Sequence, residues 1–224
     1  MFIELCQKGE FECIKYLEEE DFRQDNDQGL KQACKYGHIN IVRFLVEEKG
    51  ADINSGEDWA IHLATKNGHI EVILYLLEKG ASVERCRDTA FSFRKTDILK
   101  ILNHMGYDLK MDVKFNQIEN AINEGNLEFI KVYIDFIYNG IKQILYRIFY
   151  ISLLENQTEI IHYLVQNIDM NVVFNKSIKQ GNLTVVSFLL EKGFNVNKKY
   201  LMKRAITSDH QHIIKYIENF IKII

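Results

Sequence analysis

Four apolar positions recur eight times along the chain, each time at the same distance from a turn residue that we call the anchor. Residues four, five, seven and eight after each anchor are apolar in every copy. This spacing places four side chains on one face of an α-helix, so each copy predicts a helix with one buried face. The anchors, which lie 25 to 31 residues apart, are Gly9, Gly37, Gly68, Arg94, Gly125, Asn156, Gly181 and Asp209.

A first helix is predicted before each anchor. Glycine anchors supply the left-handed turn that ends this helix, and Asn156 and Asp209 tolerate the same conformation. Arg94 tolerates it poorly, so we expect the fourth copy to turn differently. A small residue four positions before the anchor would let neighbouring helices approach closely. These small residues are Ala33, Ala64, Ala90, Ala121, Ser152, Ser177 and Ala205.

The repeated pattern predicts an all-α fold. Each copy is one helix pair, and a pair of this size buries its apolar face only against its neighbours. We therefore expect a helical solenoid of about eight pairs that forms one domain over residues 1–224.

The third copy, WAIHLATKNGHIEVILYLLEKGASVE (59–84), resembles the ankyrin repeat, whose usual signature is TPLHxAAxxGHxxVVxLLLxxGAxxN. His62 falls on the histidine of the signature, Ala64 on its first alanine, and Gly68 with His69 on its Gly-His step. The second copy keeps the Gly-His step and ends GADIN, and the seventh ends EKGFNVN. The resemblance implies an ankyrin-type solenoid over nearly the whole chain.

The chain departs from the signature in two ways. Trp59 and Ala60 replace its threonine and proline, and the intervals of 25 and 26 residues are shorter than the usual period of about 33. The β-hairpin fingers are therefore expected to be short or missing. The composition, with no proline and 21 Lys to 7 Arg, also resembles the large ankyrin families of giant DNA viruses, which implies a viral protein of the host cytoplasm.

Composition narrows the class of partner. The chain is 47% apolar and 26% charged, with a net charge of -3, which argues against nucleic acid as a partner. The charge is uneven, at -6 over residues 1–112 and +3 over residues 113–224. No apolar stretch reaches the ~20 residues of a membrane span, and the N-terminal residues do not resemble an export signal. Four cysteines without a CxxC pair indicate reduced thiols in a cytosol-like compartment.

No catalytic or cofactor-binding pattern is present in the sequence. There is no Gly-rich phosphate loop and no Ser/His/Asp or Cys/His signature. His210 and His212 would splay apart on a helix, which disfavours a shared metal ion. His38, His62 and His69 are expected to form hydrogen bonds between repeats, as the ankyrin resemblance implies. The sequence therefore favours a non-enzymatic protein-interaction scaffold; the alternative is a regulatory or substrate-recognition module of a larger enzyme complex.

The ankyrin resemblance implies that a partner protein binds to the fingers and to the concave face formed by the first helices. Trp59 is either a binding hot spot or a plug that packs between fingers. Further candidate positions are Asp27 and Phe115 on the side of the fingers, and Lys179 and Gln180 on the concave face. The candidate partner-binding residues are Lys35, Tyr36, Asp58, Trp59, Lys66, Asn67, Ser92, Phe93, Asn123 and Glu124.

The C-terminal residues are more apolar than a solenoid end requires. The repeat pattern accounts for Ile213, Ile214, Tyr216 and Ile217, but not for the apolar residues from Phe220 to Ile224. These residues either fold over the end of the stack as a lid, or they stay exposed and contact a partner or a second copy of an otherwise monomeric chain.

Overall fold

A computed structural model describes residues 1–17, 22, 24–110, 115–137, 142–193 and 198–223. The side chains of residues 24–26, 137, 142–143, 198–199 and 223 are outside the description. The chain divides into two compact units, 1–110 and 111–224. The described ranges contain helices and turns and no β-strand, which confirms the all-α solenoid architecture. The single domain over residues 1–224 stays a prediction.

The first unit contains four helix pairs. The first helices α1, α3, α5 and α7 pack side by side in chain order, and each packs against the second helix that follows it. The bounds are α1 (Phe2–Lys8), α2 (Phe11–Lys15), α3 (Gln24–Tyr36), α4 (Ile39–Glu47), α5 (Ser55–Asn67), α6 (Ile70–Glu78), α7 (Val83–Ser92) and α8 (Thr96–His104).

The second unit repeats this arrangement. Its first helices α9, α11, α13 and α15 also pack side by side, and a π-helical segment (Tyr133–Ile137) extends α10. The bounds are α9 (Phe115–Asn123), α10 (Leu127–Val132), α11 (Lys142–Leu154), α12 (Thr158–Asn167), α13 (Met170–Lys179), α14 (Leu183–Glu191), α15 (Lys198–Ser208) and α16 (Gln211–Ile223).

All eight anchors adopt the left-handed conformation, with φ between 52° and 83°. The prediction that Arg94 turns differently is wrong, because its φ is 52°. Its N–H donates to the carbonyl of Phe91, and the next N–H, that of Lys95, donates to Ala90 over 2.7 Å. These capping bonds offset the strain of about 1–2 kcal/mol that a non-glycine residue incurs here.

The seven small residues before the anchors are fully buried, at 0% exposure. The carbonyls of Ala33, Ala64, Ala90, Ala121, Ser152 and Ser177 each accept the N–H of the residue after the anchor, over 2.7–3.0 Å. One position therefore serves two purposes, because its small side chain admits the neighbouring helix and its carbonyl closes the turn.

The apolar quartets form the core. Every quartet residue is buried or half-buried except Cys13 and Tyr16, for which the prediction of burial is wrong. Tyr16 follows the end of the five-residue helix α2 and is 75% exposed, and Cys13 lies on the solvent side of the same short helix.

The C-terminal apolar residues continue helix α16. Ile213 and Ile217 are buried, whereas Phe220 and Ile221 are half-buried. The ring of Phe220 stacks on Tyr216 with centroids 6.4 Å apart. Ile224 and the side chain of Ile223 lie outside the described residues, so lid and second-copy contact both stay predictions.

Within the described part of the chain, no helix has the length and apolar character needed to cross a membrane.

Candidate protein-binding surface

In four repeats, the side chain that follows the anchor binds a backbone carbonyl of the repeat before it. The Nε2 atom of His38 lies 3.0 Å from the carbonyl oxygen of Gln7, and that of His69 lies 2.8 Å from Lys35. In the second unit, Gln157 donates to Asn123 and His210 binds Lys179 in the same way. These carbonyls belong to the exposed last turn of a first helix, which has no intrahelical donors.

Glycine at the preceding anchor makes room for these side chains. A Cβ atom on Gly37 would lie 2.5 Å from Nδ1 of His69, and one on Gly9 would lie 2.7 Å from the His38 ring. The equivalent distance is 2.8 Å for Gly125 and 3.0 Å for Gly181. The glycines therefore leave space for the next repeat, in addition to adopting a positive φ without strain.

The predicted role of His38, His62 and His69 is confirmed, because each forms a bond to a neighbouring repeat. Nδ1 of His62 lies 2.9 Å from the hydroxyl oxygen of Thr89. Burial lowers the pKa of His62, and the positive charges of Arg85 and Lys66 lower it further. His62 is therefore held in its neutral form at neutral pH.

We define the first-helix face of the first unit as the surface formed by α3, α5 and α7. A groove lies on this face between α3 and α5. It encloses about 480 Å³ and is rich in lysine. Trp59 and Leu63 supply its apolar part. We call it groove 1; it is lined by Gln28, Lys31, Gln32, Lys35, Trp59, Leu63 and Lys66.

Exposed aromatic rings lie on the same three first helices. Tyr36, Trp59 and Phe93 are 40%, 44% and 42% exposed. The ammonium of Lys66 lies 4.8 Å from the centre of the Phe93 ring, and that of Lys35 lies 5.0 Å from Tyr36. These cation–π contacts hold the rings and the charges together on one surface.

The repeats of the first unit match a known family. A family model described as "Ankyrin repeats (3 copies)" matches residues 2–87, which hold the anchors Gly9, Gly37 and Gly68. This region of the chain is similar to ankyrin repeats. Ankyrin repeats generally mediate protein–protein interaction.

The ankyrin repeat domain of human ASB11 is a solved structure similar to this chain. The two share 17% sequence identity with a TM-score of 0.34, and the alignment covers 88% of this chain and 85% of that chain. No curated protein matches the sequence.

The remaining candidate residues of the first unit do not line groove 1. Asn67 donates to the carbonyl of Leu63 in its own helix, and Ser92 is exposed at the end of α7. Asp58 has a φ of 63° and is the last residue of a left-handed turn that starts at Gly56, so the regular part of α5 begins at Trp59.

Asn123 and Glu124 are exposed in the second unit and are thus not part of groove 1. The structure brings together only Lys35, Tyr36, Trp59, Lys66 and Phe93 from the predicted set.

A matching groove in the second unit was not predicted from the sequence. It encloses about 520 Å³ between α13 and α15 and contains Lys176, Lys179 and Arg204. We call it groove 2. Tyr200 stands beside it, 41% exposed, and accepts a hydrogen bond from Nε of Arg204 over 3.0 Å. Counting back from the anchors of α13 and α15 would have located it, because its residues occupy the same offsets as those of groove 1.

Tyrosine–carboxylate contacts between second helices were also missed. The hydroxyl of Tyr75 donates to Glu47 over 3.1 Å, and Glu47 pairs with Lys79 over 3.1 Å. Equivalent bonds join Tyr163 to Asp135 and Tyr216 to Glu191. In all three, the tyrosine is seven residues after its anchor and the acid is ten residues after the previous one, a pairing that the sequence alone could have indicated.

The buried cysteines are poor nucleophiles. Burial raises the pKa of the Cys6 thiol to about 12 and that of Cys86 to about 11, and it also raises the pKa of Cys34. A thiol with a raised pKa carries little of the reactive thiolate. No cluster of three or more His, Cys, Asp or Glu suited to a metal ion occurs among the described residues.

Proposed function

We propose that the chain is a non-catalytic scaffold that binds a partner protein on the first-helix face of its first unit. One observation carries the proposal: Tyr36, Trp59 and Phe93 are exposed on neighbouring repeats, and Lys35 and Lys66 hold two of the rings in place. Aromatic residues that are ordered before binding lose little conformational entropy on binding, which is typical of interface hot spots.

The surroundings of these rings support binding over a structural role. The indole of Trp59 contacts the His62 ring edge-on, with centroids 5.2 Å apart, and His62 in turn contacts Phe93 at 6.1 Å. Trp59, His62 and Phe93 thus form a continuous strip of rings from α5 to the end of α7. The outer ends of the strip remain open to solvent, where a partner side chain would contact them.

In this proposal the chain acts as a monomer in a cytoplasmic compartment, and its partner is neither nucleic acid nor a membrane. Three buried thiols with raised pKa values fit a reducing environment, because none of them is paired in a disulfide.

The test replaces Tyr36, Lys66 and Phe93 together by alanine. Capture of partner proteins from a cell lysate, quantified by mass spectrometry, should fall about tenfold or more for the proteins that the wild type enriches. Circular dichroism should not change, because the three side chains are on the surface. The matched control replaces Tyr16, Ile70 and Leu74, which are equally or more exposed on second helices or at their ends.

The control variant should retain capture. Undiminished capture by the first variant, or an equal loss in the control, would contradict binding on the first-helix face.

A further inference from the structure

Grooves 1 and 2 are built from the same positions of the repeat. In groove 1, Lys35 and Lys66 lie two residues before their anchors and Lys31 lies six before. In groove 2, Lys179 lies two before its anchor, and Lys176 and Arg204 lie five before theirs. Both grooves therefore face the first-helix side of their own unit and present three cations each.

An aromatic ring occupies the same place beside each groove. Trp59 and Tyr200 are both nine residues before their anchors, and both are more than 40% exposed. The side chain of Arg204 lies over the Tyr200 ring at 5.4 Å, while Lys66 lies over Phe93 at 4.8 Å. Each groove thus offers positive charge and an apolar ring surface together.

The six cations of the two grooves have no carboxylate partner among the described residues. The ion pairs found there join Lys8 to Glu4, Lys79 to Glu47 and Arg87 to Asp88, away from both grooves. None of the described residues that line the two grooves carries a carboxylate. Three like charges on one small surface repel each other, so a bound anionic group would stabilise each groove.

The lysine-rich composition of the chain does not explain this clustering. At positions two, five and six before the anchor, the first, fourth, fifth and sixth repeats carry no basic residue. The first, fourth and fifth repeats have an acid at one of these positions, namely Glu4, Asp88 and Glu119. The sixth repeat has apolar residues at all three. The cations are confined to the second and third repeats and to the seventh and eighth.

We infer that each groove takes an acidic segment of a partner protein, with Glu or Asp side chains on the cations and an apolar side chain against the aromatic ring. This inference rests on the proposed scaffold function and names the chemistry of the partner. Two such segments in one partner would bind with higher affinity than either alone, because the second contact is intramolecular.

The charges around groove 1 favour a protein segment over nucleic acid. Residues 1–112 carry a net charge of -6, which opposes a polyphosphate that extends beyond the groove. The charge of a short acidic segment is balanced by the three cations of one groove. Its apolar residues can also pack against Trp59 or Tyr200, which a phosphate backbone cannot do.

The test measures fluorescence anisotropy with a short labelled peptide in which Glu and Asp alternate with Leu and Phe. Two further probes are a peptide with Lys and Arg in place of the acids and a single-stranded oligonucleotide. Replacing Lys31, Lys35 and Lys66 by glutamine should leave one acidic peptide bound per chain in place of two, because groove 2 is intact, and the same change at Lys176, Lys179 and Arg204 should leave only groove 1 occupied. The six changes together should abolish binding, and about 300 mM salt should weaken the wild type.

The matched control removes three exposed lysines on the second-helix side, at Lys15, Lys192 and Lys215. It should change affinity less than about twofold. The inference is overturned if the control weakens binding as much as the groove variants, or if the six-residue variant still binds. It is also overturned if the oligonucleotide binds in the grooves more tightly than the acidic peptide. None of these results decides the lysate experiment, where the joint replacement of Tyr36, Lys66 and Phe93 tests the scaffold function itself.

Discussion

Two junctions between repeats accommodate the side chain that follows the anchor in different ways. One joins the second and third repeats, and the other joins the sixth and seventh. At the first, Gly37 leaves space for the His69 ring, which binds the carbonyl of Lys35. At the second, the anchor is Asn156; Asn182 accepts the N–H of Val185 in its own helix and donates to the hydroxyl of Tyr146 in the preceding repeat, not to a carbonyl beside the anchor. Both anchors have the same left-handed conformation, with φ of 80° and 54°.

The comparison shows that backbone conformation alone does not dictate glycine at an anchor. Where a histidine or glutamine follows in the next repeat of the same unit, the anchor is glycine, and a Cβ there would approach that side chain within 3.0 Å. Gly68 is the intermediate case, since its hypothetical Cβ would be 3.7 Å from Nζ of Lys95. The side chain that crosses the junction is what excludes other residues.

The largest effect is expected beneath the histidine-linked junction, in helix α6. Leu76 is 0% exposed, so Leu76→Asp would bury an unpaired charge and should cost about 3–5 kcal/mol of unfolding free energy. Leu74→Asp, two residues away and 38% exposed, should cost less than about 1 kcal/mol. Urea melts followed by circular dichroism measure both. Equal midpoints for the two variants would show that this junction has no packed core.

The second prediction tests the glycine requirement directly. Gly37→Ala and Gly80→Ala both place alanine at a positive φ, but a Cβ at Gly80 meets nothing within 4 Å. Gly37→Ala should therefore cost about 1–3 kcal/mol more, because it displaces His69 and breaks its bond.

A double variant isolates that cause. In a His69→Ala background, the difference between the two glycine substitutions should nearly vanish, because the obstructing ring is gone. If the difference persists at full size in urea melts, the glycine requirement lies in the backbone and the comparison between the two junctions fails.

The smallest predicted effect concerns pH at the junction between the third and fourth repeats. The pKa of His62 is lowered in the folded state, so the folded protein prefers the neutral ring more than the unfolded chain does. Its contribution to stability is complete above the unfolded pKa of about 6.5 and is lost as the pH falls through and below that value.

The expected result is a loss of stability between about pH 7.5 and about pH 5 that His62→Gln reduces. Thermal melts of both proteins across this range measure it, and the difference between them removes the contributions of all other groups. A pH profile that the substitution leaves unchanged would mean that His62 is not desolvated by its neighbours.

Sequence reasoning located the features that depend on local periodicity. The anchors, the small residues and nearly all of the apolar quartets follow from helical spacing, which each repeat displays within about 20 residues. Arg94 was misjudged because capping bonds to Phe91 and Ala90 outweigh the conformational preference of a single residue. Tyr16 was misjudged because α2 ends one residue before it.

The candidate site was only partly predictable. Lys35, Tyr36, Lys66 and Phe93 were found from their offset to the anchor, whereas the cation–π contacts that order them depend on packing between repeats. Groove 2 was missed because its cations are spread over two offsets and two helices. Contacts of this kind become visible only when the same offset is compared across neighbouring repeats.

The pairing of glycine with the residue of the following repeat also restricts how such an array evolves. A repeat that starts its second helix with asparagine, as the one holding Asn182 does, packs behind the non-glycine anchor Asn156, and this asparagine bonds to its own helix and to Tyr146 of the preceding repeat. A repeat that starts with histidine, as the one holding His69 does, fits only after glycine. Duplication or recombination that places a histidine repeat behind Asn156 would create a clash, while the reverse exchange would not. The identity of the anchor therefore limits which repeat can follow it. Insertion of a single copy is expected to be tolerated at some junctions and to destabilise the fold at others.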